Sequence, residues 1–333
     1  MDIQQIKKEI FSEKYSFLKT DTHLGDNIIL LTVGGSHAYG TNIETSDLDI
    51  RGVALNQASD LIGFSNFEQF TENKTDTVIY SFNKAAKLMC AANPGILEMC
   101  GLPPEYYLYL TKTGKDIIDN THMFLSKKVV RSFGGYATAQ LRRLQNALAR
   151  DNYPEEEKER HILGSVTSMM DSLYEDTNGA ISFAIDPETD KLNVYFLEDF
   201  HCPVRELNNI MSQMTNIVRD YEKINHRNRK KDDLHLNKHA MHLLRLLYMG
   251  TEILEKEVVV TRRDNEHDLL MDIRNGKYML ENGNMRPEFY EMVNDAQKRF
   301  DYAAEHTSLP EKPDYKTIEK FVMDVNGEIV GKD

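Results

Sequence analysis

Apolar positions change their period several times along the first third of the chain, and each change predicts an element. Ile3, Ile6, Ile10, Phe11, Tyr15 and Leu18 recur at spacings of three, four and one, which predicts an amphipathic helix over residues 2–18. Residues 28–33, IILLTV, are a short, partly β-branched apolar run bounded by Gly25 and Gly34, the pattern of a buried strand. Residues 48–55 then alternate. Asp47, Asp49 and Arg51 fall on one face, and Leu48, Ile50 and Gly52 on the other. A third extended stretch over residues 75–82 sets Asp76, Val78 and Tyr80 on one face, and residues 57–73 read as loop.

From Ser81 the period becomes helical, with Phe82, Ala85, Ala86, Leu88, Met89 and Ala92 in one stripe. Asn93-Pro94 ends that helix, because proline disfavours helical geometry in the residue before it. Beyond about residue 105 the strand signal fades. Residues 124–150, 153–174, 204–224 and 234–254 carry helical periodicities, with one β-prone interruption at 191–196. The pattern predicts an α+β chain, divided into a mixed N-terminal domain over residues 1–120 and a mainly helical one over 121–333. A length of 333 residues suits two domains better than one core.

Composition narrows the class. Hydrophobic and charged shares of 41% and 28% are those of an ordinary globular protein. The N-terminal aliphatic run is far shorter than the roughly 20 residues of a membrane span, and the opening MDIQQIKKEIFSEKYSF has no apolar signal core. A cytoplasmic protein with no membrane partner is expected. Cys90, Cys100 and Cys202 are odd in number and lack CxxC spacing, against a disulfide framework or zinc knuckle. A net charge of −13 argues against a surface built throughout to coat nucleic acid, yet leaves a local site open.

The candidate chemistry lies in VGGSHAYGTNIETSDLDIRG, residues 33–52. Carboxylates two apart on a strand share a side at roughly 6 to 7 Å between Cα atoms, a separation that suits one or two hard cations completed by water and phosphate oxygens. Asp76 is the nearby acid in a strand-like setting that would complete the cluster. Gly34 and Gly35 let backbone N–H groups approach a polyphosphate, and Ser36 can add its hydroxyl. The segment lacks the lysine of a P-loop, and Gly34, Gly35 and Gly40 are wrongly spaced for GxGxxG.

GGSHAYG followed by TSDLDIRG resembles the hG[GS] and Dh[DE]h signature of the DNA polymerase beta-like nucleotidyltransferase superfamily. With DTVIYSF, NPGILEM, KHAMHLLRLL and LLMDIRNGKY, the chain is similar, from about residue 28 to 280, to the subgroup associated with RNA repair ligases. The resemblance implies a catalytic domain with a small mixed β-sheet flanked by helices over residues 1–120, and a helical substrate- or acceptor-binding domain over 121–333. It implies that Asp47, Asp49 and Asp76 are catalytic and hold two Mg2+ or Mn2+ ions, and that Gly34, Gly35 and Ser36 bind the triphosphate. The implied reaction moves NMP from an NTP, ATP or another, to an acceptor hydroxyl. An RNA end, tRNA-like, is the favoured acceptor; a protein side chain and a non-catalytic nucleotide or RNA sensor are the alternatives.

Other residues carry two readings each. Arg51 shares the acid face and would contact a phosphate or tether a carboxylate; His37 and Tyr39 would touch nucleotide or make structural hydrogen bonds. Glu98 reads as a buried or capping acid at a helix junction. Lys238, His242 and Arg245 fall on one helical face, either a cationic stripe binding nucleotide phosphates or a solvated surface. Arg274 and Lys277 would reach substrate or sit in a surface turn. The basic run HRNRKK, residues 226–231, would contact RNA or form an exposed loop.

Overall fold

The structure is a computed structural model that describes residues 3–152, 155–186, 191–225, 233–280 and 284–331. Its strands and helices follow the α+β expectation, with a mixed sheet near the N-terminus and a mostly helical remainder. The predicted first helix is broken into α1 (Ile3–Glu9), a 3-10 turn and α2 (Phe17–Thr20). Ile6, Ile10, Tyr15 and Leu18 are nevertheless buried as their spacing requires.

β1 (Ile28–Val33) is buried at every position. Next come α3 (Gly35–Tyr39), β2 (Ile50–Ala54), α4 (Ala58–Ile62), β3 (Gln69–Glu72) and β4 (Thr77–Ser81). Two predicted strands therefore start later than their patterns suggested. Asp47 and Asp49 precede β2, and Asp76 precedes β4 in the left-handed region at φ 43°. The stretch over 57–73 holds α4 and the edge strand β3 rather than loop alone.

α5 (Phe82–Cys90) and α6 (Pro94–Cys100) follow, and Asn93-Pro94 both ends one and starts the next. Asn93 caps α6 by accepting from the Gly95 N–H at 3.0 Å, while Pro94 takes a first-turn position that needs no donor. β5 (Tyr107–Leu110), absent from the sequence expectation, pairs with β1. The sheet order is β3-β4-β2-β1-β5, with β2 and β4 parallel and the other pairs antiparallel. α7 (Lys112–Asp119) and α8 (Lys128–Asn152) complete this part of the chain.

α9 (Glu155–Asp176), β6 (Ile181–Asp186), β7 (Lys191–Phe196) and α10 (Val204–Asn225) come next. The β-prone segment at 191–196 is thus a strand, paired antiparallel with β6, which the sequence did not signal. The C-terminal helices are α11 (Asp233–Lys256), α12 (His267–Arg274), α13 (Pro287–His306) and α14 (Tyr315–Val330).

Contacts divide the chain differently from the expected boundary after residue 120. One unit takes Met1–Leu144 with Asp233–Asp333, and the other takes Gln145–Asp232. Residues 121–144 and the C-terminal helices fold with the sheet because α11 is apolar around most of its circumference and needs neighbours on every side. Met241, Leu243, Leu244, Leu246 and Leu247 are all buried. The smaller unit has its own core of Val166, Leu173, Ile181, Ile210 and Ile217. Among the described residues no helix is long and apolar enough to cross a membrane.

Candidate nucleotidyl-transfer site

Strand register brings the motif acids together. β2 and β4 pair in parallel with Ile50 opposite Thr77, so the residues just before them, Asp49 and Asp76, become neighbours. The Ile50 N–H donates to the Asp76 carbonyl at 3.2 Å. On the other side β1 pairs antiparallel with β2, with Val33 opposite Ile50, and the Gly34 N–H donates to the Asp49 carbonyl at 2.8 Å. Residues that are distant along the chain meet at one end of three adjacent strands.

The glycine pair is required by this meeting. A Cβ on Gly35 would lie 1.8 Å from Asp49 Oδ2, and Gly35 adopts φ +53°, which side-chain-bearing residues rarely take. A Cβ on Gly34 would lie 2.8 Å from Arg51 Cγ. The backbone after β1 is thus laid directly against the Asp49 carboxylate and the Arg51 stem.

The carboxyl groups of Asp49 and Asp76 hydrogen-bond each other. Burial, with the bond to Asp76 next, pushes the Asp49 carboxyl up to about 7, while the more exposed Asp76 is held below the usual carboxylate range chiefly by that same bond. Arg51 serves as their counter-cation, with Nη2 3.4 Å from Asp49 Oδ1 and 3.1 Å from Asp76 Oδ1. Its Nη1 donates to the Ile50 carbonyl at 3.0 Å and to the Asp76 carbonyl. Of the two readings of Arg51, the tether is the contact observed. The positive charge of Lys238, exposed on α11, also favours ionisation of both acids.

Other expected residues are placed differently. Asp47 is exposed, and His37 is buried, with its pKa lowered mainly by burial. Ser36 is buried. Arg245 is not a solvent-facing cation, which corrects the solvated-surface reading of it. It is buried, bonds Glu98 Oε1 at 2.6 Å and stacks 3.6 Å from the Tyr39 ring centroid, while the Tyr39 hydroxyl bonds Glu98 Oε2. His242 sits edge-on to Tyr39, with ring centroids 6.3 Å apart. Glu98 is therefore a structural acid that joins α6 to α3 and α11.

Arg274 is buried as well, not part of a surface turn, and donates from Nη2 to Ser46 Oγ at 3.0 Å. Ser46 Oγ also accepts the Ile43 N–H at 2.8 Å, so the segment ahead of the acids is tied to α12. Sequence reasoning passed over Ser46, which offered no signal beyond a turn-forming residue type. Lys277 is exposed and pairs with Asp272 at 2.5 Å. The 226–231 run lies outside the described residues.

Two adjacent carboxylates are hard oxygen donors that suit a divalent cation in kind. The expected triple is less complete than the pair. Among the described residues no group of three or more His, Cys, Asp or Glu side chains is disposed to hold a metal ion.

A five-stranded mixed sheet with paired acids beside a glycine turn is the architecture that the motifs led one to expect of a polymerase beta-like nucleotidyltransferase. Residues 6–164 match the RNA repair pathway DNA polymerase beta family (RlaP), and the sheet, the glycines and the acids all lie within the matched residues. No curated protein and no solved structure matches the chain.

Proposed function

We propose that the chain is a divalent-metal-dependent nucleotidyltransferase that moves NMP from an NTP to the hydroxyl of an RNA end, releasing pyrophosphate. The observation that carries this reading is the Asp49–Asp76 pair, set by strand register against the bare backbone of Gly34 and Gly35. The family match over residues 6–164 supports nucleotidyl transfer in RNA repair; the metal and the acceptor are this proposal's own.

Asp49 and Asp76 would hold the cation, with Asp47 as a further oxygen donor from two residues upstream. Bound there, Mg2+ or Mn2+ would supply charge neutralisation at the phosphate oxygens and a lowered pKa for the acceptor hydroxyl. The chain's own groups do the rest. Gly34 and Gly35 leave room for phosphate at the backbone, Lys238 offers an exposed ammonium, and Arg51 can exchange its carboxylate partners for a phosphate. Asp76, the more exposed acid, accepts the acceptor hydroxyl's proton as that oxygen bonds the α-phosphorus and the bond to pyrophosphate breaks.

The test is incubation with each of the four α-labelled NTPs, with cellular RNA and protein supplied side by side. Label entering RNA, and lost in Asp49→Asn and Asp76→Asn proteins that still fold, is the expected result. Label entering polypeptide would move the acceptor to protein. No labelled product with any acceptor would remove the catalytic reading.

A further inference from the structure

Away from the acids, two adjoining cavities of about 580 and 530 Å³ lie along α8, α5 and α14 and share Ala91 and Lys128. α8 lines the first with Lys128, Arg131, Ser132, Gly135, Tyr136 and Ala139, a single helical face at spacings of three and four. The small residues keep its floor low, and a Cβ on Gly135 would meet nothing within 4 Å. Tyr136 and Tyr315, one on each cavity, are 51% and 47% exposed.

The charge of this groove is unusual for the chain. Acids outnumber Lys and Arg by 53 to 40, yet three cations line the groove and none is paired with a carboxylate among the described residues. Arg131 and Lys87 are exposed. Lys128 has neutral partners, the Cys90 carbonyl at 3.0 Å and the Tyr315 hydroxyl at 2.5 Å, and its Nζ lies 5.2 Å from the Tyr315 ring centroid. Glu319 is the single acid lining either cavity.

Unneutralised cations interleaved with exposed flat rings suit a ligand that carries both regularly spaced negative charge and stacking faces. An acidic peptide would use the cations and leave the rings idle; a duplex would hide its base faces from them. We propose that this groove binds a single-stranded segment of RNA, with phosphates on Lys87, Lys128 and Arg131 and bases against Tyr136 and Tyr315. The inference rests on the RNA reading above and adds where on the molecule that strand runs.

The experiment is fluorescence anisotropy of the full chain with a short labelled single-stranded RNA across a salt series, circular dichroism confirming that each variant folds. For the Lys87→Ala/Arg131→Ala double variant, loss of two phosphate contacts lowers the slope of log K against log salt by about 1.4. Tyr136→Ala weakens binding roughly tenfold. If Tyr136→Ala perturbs the fold, Arg131→Glu alone must still weaken binding. Binding by these variants equal to the unsubstituted chain overturns the groove and leaves the RNA reading standing, whereas no RNA binding by the unsubstituted chain overturns both. Equal binding of polyglutamate or duplex RNA, equally sensitive to the variants, overturns the choice of partner.

Discussion

Gly35 sits where a backbone carbon faces a carboxylate, and both its φ of +53° and the 1.8 Å approach of Asp49 Oδ2 to a built Cβ forbid a side chain. Gly35→Ala should therefore lose stability by about 1–2 kcal/mol from backbone strain alone, more from the clash, and displace Asp49. Gly327→Ala, on α14 with nothing within 4 Å of the added carbon, should instead stabilise by about 0.5–1 kcal/mol. Urea melts of the two variants check the contrast; equal behaviour would contradict the close packing at Gly35.

His242 allows a second test at this scale. Its pKa is depressed well below the ordinary imidazole value, first by burial and then by Arg245, Lys238 and His239 of its own helix and Arg274 of α12; the Tyr39 ring faces it from α3. The unfolded chain takes up the proton below about pH 6.5 while the folded one does not, so this contribution to stability is present above that pH and lost as pH falls through it. His242→Gln should flatten the dependence of urea midpoint on pH below about 6.5. An unchanged slope would mean that the imidazole protonates in the folded protein.

Between elements, the Tyr39–Glu98–Arg245 cluster joins α3, α6 and α11, and the segment before α12 reinforces it. Thr261 Oγ1 donates to the Glu98 carbonyl at 2.6 Å, and the Arg263 N–H donates to the Tyr39 carbonyl at 3.3 Å. Removing one partner of a buried ion pair leaves the other charge uncompensated, so Arg245→Met should cost about 3–5 kcal/mol. Glu98→Leu combined with Arg245→Met should cost clearly less than the sum of the two single changes, which denaturant titration of the cycle measures. Additive losses would show that the two side chains act independently.

Elements were unequally legible. β1 was plain because it is buried on both faces and reads as an unbroken apolar run. β3 and β5 were missed because both are four-residue edge strands, and β3 alternates between exposed and half-buried positions without an apolar face. β6 was missed although its partner β7 was seen. The late start of β2 and β4 has another cause. An alternating pattern continues through Asp47, Asp49 and Asp76, but the ladder starts only after them, where Asp49 lies against Gly35 and Arg51 and Asp76 against Arg51, which periodicity cannot register.

Over the whole molecule, the chain leaves the larger unit inside α8 after Leu144 and returns at Asp233, so compact units do not follow sequence halves. The smaller unit's separate core makes a prediction. Leu173→Ala should cost that unit about 2–5 kcal/mol, raising hydrogen exchange within residues 145–232 while β1 amides keep their protection. Loss of protection in β1 to the same extent would make the two units one cooperative body.

Legible from the sequence were the α+β class, the buried strand β1, the long helices, the glycine pair, the acids and the likeness to the family whose model matches residues 6–164. Those are local signals, written in period, residue type and short spacing. Tertiary structure alone decided which acids meet. Asp49 is set beside Asp76 because a parallel register between β2 and β4 aligns the residues just before each strand, a pairing that no local spacing announces. It also decided that Arg245 is a brace and Arg274 a tie, since the acid that neutralises one and the hydroxyl that anchors the other lie far away in the chain. Pairing across such distances depends on how the sheet and helices pack, a property that no stretch of sequence carries alone.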